Sequence, residues 1–461
     1  MLGVDPAAGK NFVSVDWVSS AIVHAMCMPA APRRQTRTNQ NCRVNSTEST
    51  LSSKLDTAKM SSKLDGMDSA AFLRVAADWS HWDAPPGRSV PRSVRLPIEF
   101  RPDLALVVQG VRRSGKSTLL RQLIDRYRLD RTRCLFVNFE DPRLASALDH
   151  ATLDMMVEAF EADRGPGCTY MLDEIQWVDG WQRWLRSQLD RPRGRRFVVT
   201  GSNAQLLSGE LGSSLTGRHH AVEVFPFDLA EFRLARPAAK LGDYLDCGGF
   251  PAVVKSPDRD MLLRGYFQDI VERDMRDRVA ARSSLPLRQL VQMLYESAGA
   301  ETSVRRAAAA LGISVDTAGL YLEAAESAYL AMACPFFAWS SRKRLARNRK
   351  FYPVDTGLRR VAVTATGRDR GKQLECATFL LLRRRFGRVS YWRGRGEVDF
   401  VVEGPRGPIP VQVSWDETTE RAQRAVDEFH AAHPTAAEAV FVTAASFEAG
   451  VPELAGPEFD G

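Results

Sequence analysis

The sequence predicts an α/β fold with a central parallel sheet, and three observations predict it. Apolar runs of five or six residues, Leu104–Gln109, Cys134–Asn138, Cys168–Leu172 and Arg196–Thr200, alternate with helix-like stretches. Runs of that length read as buried strands, and their alternation with helices reads as βα units. The first run leads into Gly110-Val-Arg-Arg-Ser-Gly-Lys116-Ser117, which fits G-x-x-x-x-G-K-[ST] at every fixed position, and a periodic helical run, Ser117 to Tyr127, follows. The third run ends in the acidic pair Asp173-Glu174.

The loop after the first strand is a phosphate-binding pattern. Its glycines let the backbone wrap an anion, and successive N–H groups and the helix N-terminus point positive charge inward. Gly110, Arg113, Ser114, Gly115, Lys116, Ser117 and Thr118 are the expected nucleotide contacts. Lys116 is expected to reach the β- and γ-phosphates, and Ser117 to offer its hydroxyl to Mg²⁺. Arg112 and Arg113 also lie in the loop and could touch phosphate, although such side chains more often point to solvent. The implied ligands are ATP and Mg²⁺.

The acidic pair supplies the other half of such a site. Asp173 is assigned to the metal and Glu174 to polarising the attacking water. The strand Cys134–Asn138, followed by Glu140-Asp141, lies between the loop strand and the acidic strand in sequence. That insertion, with a glutamate after the metal aspartate, points to ATPases with an additional central strand rather than to small GTPases or kinases. The fourth strand runs into Gly201-Ser202-Asn203. Asn203 is the candidate contact to the γ-phosphate and attacking water, with Ser202 next to it; the alternative is a loop cap.

Composition sets the class. The chain has 461 residues, 44% of them apolar, which suggests two to four globular domains. A net charge of +7 leans mildly towards a polyanionic partner. Seven cysteines without a C-x-x-C pair do not make a disulfide framework and read as buried, reduced thiols of a cytoplasmic protein. The apolar stretch Trp17 to Ala31 is too short to span a bilayer. Asp5 and Asp16 spoil it as a signal peptide. Residues 1–66, polar over 33–66 and carrying a near-duplicate at Ser52–Asp56 and Ser61–Asp65, are expected to be disordered or to precede the natural start, Met60 or Met67.

The remaining elements follow in order. The ATPase core is expected over 67–235. A helical lid is expected over 236–283, with Arg273 and Asp274 as a surface pair. Over 284–355 a winged helix is expected, with helices Leu287–Ser297, Val304–Leu311 and Val315–Ser327 and a wing strand within Tyr329–Trp339. Its third helix presents Asp316, Thr317, Glu323 and Glu326 and no basic residue, which speaks against major-groove reading and for protein packing. The basic run Arg342, Lys343, Arg344, Arg347, Arg349 and Lys350 either follows a nucleic-acid backbone without reading sequence or is a solvated hairpin. No membrane partner is expected.

From Val107 to Val413 the chain resembles a prokaryotic family of AAA-like ATPases with a C-terminal winged-helix and restriction-nuclease-like module. The matching stretches include Gln109–Leu120, Asp173–Gln176 with Trp181, Thr200–Leu207, Ser214–Arg218, Phe225–Phe232, Gly248–Pro251, Tyr266–Asp274, Tyr352–Leu358 and Gly396–Phe400. The resemblance implies that Arg218 either reaches a γ-phosphate, in its own site or a neighbour's, or merely caps the surface loop Ser213–Gly217. It also implies a restriction-nuclease-like domain over 356–461, with Glu375, Asp399 and Gln412 as metal-site residues. The lysine position of the nuclease pattern holds Ser414, so the domain is expected to be degenerate; Arg395 and Lys372 are possible substitutes. The expected function is ATP hydrolysis coupled to the C-terminal module. The alternatives are an ATP-dependent nuclease or DNA-processing factor, and a nucleotide-controlled signalling or defence switch.

Overall fold

Five short strands build the first sheet, the first four apolar: β1 (Ala105–Gln109), β2 (Cys134–Asn138), β3 (Thr169–Asp173), β4 (Arg196–Gly201) and β5 (His219–Glu223). They lie in the order β2-β3-β4-β1-β5, all parallel. The computed structural model describes residues 69–80, 89–145, 148–204, 206, 215–364 and 369–454. The N-terminal stretch to residue 66, with its near-duplicate, lies outside the described residues.

Strands buried on both faces explain the unbroken apolar runs. Alternate residues serve opposite cores. Val107, Val137, Leu172 and Val199 pack with α1 (Ser69–Ser80), α3 (His150–Arg164) and α4 (Trp181–Asp190). Leu106, Phe136, Met171 and Val198 face Leu119, Leu120 and Leu123 of α2 (Lys116–Arg126). The sequence places β2 between the loop strand and the acidic strand, but in space β2 is the sheet edge. The strand inserted between β1 and β3 is β4. Parallel strands end on one side, so the loops after β1, β3 and β4 converge there.

A helical stretch follows: α5 (Leu229–Ala235), α6 (Leu241–Cys247), α7 (Pro251–Lys255), α8 (Arg259–Asp269), a seven-residue π-helical turn at Ile270–Arg276, and α9 (Asp277–Val279). Next come α10 (Leu285–Glu296), β6 (Glu301–Thr302), α11 (Val304–Leu311), α12 (Val315–Ser327), β7 (Ala331–Cys334), α13 (Ser341–Leu345) and β8 (Arg349–Pro353). The three strands form an antiparallel sheet, β6-β8-β7. The last part holds α14 (Thr356–Ala362), α15 (Arg370–Phe386), β9 (Val389–Arg393), β10 (Glu397–Gly404), β11 (Gly407–Val413), α16 (Glu420–Ala432), β12 (Val440–Val442) and α17 (Ala444–Glu448). Its sheet runs β12-β11-β10-β9, with β11 and β12 parallel and the other pairs antiparallel.

Everything from Val111 and Phe225 to Leu454 shares one contiguous apolar core, including Tyr295, Tyr352, Phe379 and Phe400. Cys134, Cys168, Cys247, Cys334 and Cys376 are buried. Among the described residues no helix is long and apolar enough to cross a membrane.

Candidate functional site

The phosphate loop is shaped by backbone conformations that need glycine. Gly115, the residue ahead of α2, is left-handed at φ 99°. Gly110 passes the carbonyl of Val224 so closely that a Cβ there would sit 2.1 Å from it. The loop is braced from outside by Arg92, whose Nη1 donates to Ser114 O (2.7 Å) and Nη2 to Phe225 O (2.6 Å). Arg92 is paired with Glu231 at 2.9 Å, with both side chains almost wholly buried. The capping box of α5 holds Glu231 in place through Asp228.

The loop and the acidic pair meet. Ser117 Oγ donates to Asp173 Oδ2 at 2.6 Å. Lys116 is buried; its Nζ donates to Gly110 O (3.1 Å) and lies 3.4 Å from Glu174 Oε1. Glu174 adopts a left-handed backbone (φ 55°), which turns its carboxylate back over the loop. That carboxylate accepts from Gln176 Nε2 (2.6 Å) and Ser202 N–H (3.2 Å). Burial pushes the Asp173 carboxyl up, and the Glu174 charge adds to it. Burial acts the same way on Glu174, but Lys116, Gln176 and Arg112 outweigh it and hold Glu174 below its ordinary value.

Residues not singled out in the sequence complete the site. Thr200 Oγ1 donates to Asp173 Oδ1 (2.5 Å) and accepts the Glu174 N–H (3.0 Å). Its signal was present: a polar residue ending a buried strand. Arg112 does not point to solvent. It is clamped between Glu140 (2.7 Å) and Asp274 (3.3 Å). This corrects the surface-pair expectation for Asp274, which the π-helical turn brings in from the helical stretch, while Arg273 stays exposed. Arg113 is half-exposed, ion-paired with Asp269 and stacked 4.6 Å over Tyr266. Thr118 is exposed on the first turn of α2. Asn203 Oδ1 accepts from Arg278 Nη1 at 2.9 Å.

Arg218 is not brought to the loop. Its carbonyl accepts from Ala105 N–H at the start of β1, and its guanidinium pairs with Asp190 at 2.8 Å. The loop begins at the other end of β1, about 13 Å away at strand rise.

A cradle with unspent donors fits an anion. Ser114 Oγ is fully buried without a partner, and Lys116 is turned onto its own loop's carbonyl. The Ser117 and Asp173 oxygens side by side fit a hard divalent cation.

A family model described as an AAA domain matches residues 103–233, and a second, described as a domain of unknown function, matches 238–369. An uncharacterized protein of Haemophilus influenzae is 30% identical over 339 residues, covering 69% of this chain and 84% of its own length. The chain belongs to this family of AAA-domain proteins. An uncharacterized protein of Methanocaldococcus jannaschii is 28% identical, over 73% of this chain and 80% of its own. Cdc6p from Pyrobaculum aerophilum aligns with 56% of this chain and 86% of its own, at 12% identity and a TM-score of 0.25. The AAA domain thus spans the five-stranded sheet, the loop and the acidic pair.

Beyond the AAA domain, the second predicted constellation is partly assembled. Asp399, on β10, accepts Val413 N–H (2.8 Å) and donates its own N–H to Gln412 Oε1 (3.3 Å). Burial pushes the Asp399 carboxyl up to about 7, and the Glu375 charge adds to the effect. Glu375 accepts from Tyr352 (2.8 Å) and Lys372 (2.9 Å). Ser414 lies just past β11 and spends its hydroxyl on Glu417 O (2.7 Å). Arg395 holds Glu428 through its backbone N–H (2.9 Å). Among the described residues no cluster of three or more His, Cys, Asp or Glu is arranged to hold a metal.

The basic run divides. Arg342, Lys343, Arg344 and Arg347 are exposed on and after α13. Arg349 pairs with Glu326 at 2.7 Å. Lys350 is corrected outright: it is 1% exposed, pairs with Glu397 (2.5 Å), and its charge acts on Asp399.

Proposed function

We propose that this AAA-domain chain is a Mg²⁺-dependent ATPase whose nucleotide state is passed to its C-terminal part. The observation that carries the reading is the bond between Ser117 and Asp173, which closes the phosphate loop onto the acidic strand. Gly110, Ser114, Gly115 and Thr118 line the path of the phosphates with N–H and O–H donors. Lys116 has only to release the Gly110 carbonyl to reach a phosphate oxygen. Ser117 and Asp173 would hold Mg²⁺, which when bound neutralises phosphate charge. Glu174 stays ionised through Lys116 and Gln176, as a base that takes a proton from water must. Asn203 is the proposed sensor of the γ-phosphate. Arg218 lies too far along the sheet to reach its own loop, so any role in the reaction requires a neighbouring copy.

Two contacts support the coupling. Asn203 holds Arg278 of α9, and the next residue, Ala204, donates its N–H to Ser327 O at the end of α12 (2.9 Å). The helices and strands of 285–353 follow the order of a winged helix, and the acidic, tightly packed α12 suits a protein-packing module. The mixed sheet with α15 and α16 suits a degenerate nuclease-like domain. The exposed cations of α13 suit weak, salt-sensitive nucleic-acid binding.

The test separates binding from chemistry. Lys116→Ala should abolish binding of an ATP analogue in calorimetry. Glu174→Gln should keep affinity near wild type and cut turnover about a hundredfold or more. Unchanged affinity in the first, or unchanged turnover in the second, sinks the reading.

One observation favours a second reading, a metal-dependent nuclease. Position 414 lacks a lysine, but Lys350 is buried, tied to Glu397, and its charge acts to lower the Asp399 pKa. This reading requires DNA cleavage with Mg²⁺ or Mn²⁺ that is lost in both Asp399→Ala and Lys350→Ala.

A further inference from the structure

We propose that the connection between β7 and β8, residues 335–348, is a platform for single-stranded nucleic acid. An unstacked base lies against Trp339, and the phosphates beside it meet Arg342, Lys343, Arg344 and Arg347. The inference rests on the nucleic-acid reading of α13 and adds to it the form of the strand and the residue that recognises it.

The positive charge of this segment is unspent. Between Glu326 and Asp355 the chain has no carboxylate side chain. The cations that follow on β8 are paired, Arg349 with Glu326 and Lys350 with Glu397. Among the described residues no carboxylate pairs with Arg342, Lys343, Arg344 or Arg347, and all four are exposed. Arg344 donates to uncharged oxygens, Ala338 O (3.4 Å) and Ser341 Oγ (2.9 Å). Arg347 lies over the Phe336 ring, 5.1 Å from its centre. Cations without counter-charges on one short segment attract a polyanion.

The aromatic group sits among them. Trp339 is 65% exposed, whereas Trp181, Trp184 and Trp392 are buried. Its ring meets that of Phe337 edge-on at 5.4 Å, which fixes its direction and leaves most of the indole open. Arg344 and Arg347 are anchored at Ala338 and Phe336, within three residues of it. Tyr391 of β9 ties down both ends of the segment. Its N–H donates to Pro335 O (2.9 Å), its carbonyl accepts from Phe337 N–H (2.7 Å) and its hydroxyl donates to Asn348 O (2.7 Å). A platform held this way loses little freedom on binding. In a duplex the base faces are covered by stacking, so only the phosphates could be met; a single strand offers both. A membrane surface calls for a broad apolar face opposite the cations. Besides Trp339, the large apolar side chain this segment exposes is Leu345.

The test uses the full chain and a fluorescein-labelled oligothymidylate of about twenty nucleotides, with a duplex of equal length beside it, followed by polarisation at low salt. The single strand should bind at least about fivefold more tightly than the duplex. Trp339→Ala should weaken single-strand binding about tenfold, the scale of one stacked base. It should leave duplex binding, ATP-analogue binding and circular dichroism as in wild type, and Trp339→Phe should restore most of the lost affinity. Lys343→Ala should weaken both forms alike and flatten the salt dependence. Equal affinity for both forms, indifferent to Trp339, overturns the platform and leaves the charge-based nucleic-acid reading standing. Absence of binding to either form overturns both. Trp339-dependent binding to anionic lipid vesicles, with no preference for the single strand over the duplex, overturns the platform in favour of a membrane surface.

Discussion

At the scale of single residues, close approach and burial decide what each side chain can do. Gly110 is tolerated because it has no Cβ to meet the Val224 carbonyl. Gly110→Ala should therefore displace the loop, with loss of ATP-analogue binding and a lower melting temperature. Asp399 shows the electrostatic side. Its folded pKa is raised to about 7 by burial, with the Glu375 charge adding to it. A carboxyl that holds its proton more tightly when folded favours the fold at low pH, and that contribution is lost as pH rises towards 7. Asp399→Asn should thus gain melting temperature over wild type at pH 8, by about a few °C, and little at pH 4. A gain that is the same at both values would contradict a protonation origin.

At the scale of elements, short connections place the chemistry. Helix α5 matters less for its length than for its capping box, which orients Glu231 onto Arg92. Removing one partner of a buried pair strands the other charge, at a cost of about 3–5 kcal/mol. Glu231→Ala should therefore show a large loss in denaturant stability and weaker nucleotide binding, since Arg92 also steadies Ser114. A nearly neutral effect would mean that Arg92 finds water instead. The π-helical turn at Ile270–Arg276 is the second case. One extra residue per turn rotates Asp274 to Arg112. Asp274→Asn should raise the KM for ATP more than it lowers kcat, because the carboxylate positions a loop residue rather than touching the reacting atoms.

At the scale of the whole molecule, the question is what the C-terminal part does with its carboxylates. Glu375 is covered by Tyr352 and held by Lys372, Ser414 is spent on a turn, and Lys350 is tied to Glu397. Purified protein with Mg²⁺ or Mn²⁺ should therefore leave single- and double-stranded DNA uncut. Weak binding through Arg342, Lys343, Arg344 and Arg347 should fade steeply with salt. Metal-dependent cutting lost in Asp399→Ala and Lys350→Ala would put the nuclease reading first.

The sequence by itself determined the phosphate loop, its flanking strand and helix, the acidic pair and the α/β class. Each of these is local: a glycine pattern, an apolar run, two carboxylates at a strand end. Arrangement across the sheet was out of reach of such signals. That β4 rather than β2 is the inserted strand, that Thr200 bonds Asp173, and that Arg218 lies at the far end of β1 all depend on pairing between distant segments. The same holds for charge. Arg112, Asp274 and Lys350 read as surface residues in sequence because charged side chains are rarely buried alone. Only the tertiary structure supplies the partners, Glu140, Arg112 and Glu397, that make burying them possible.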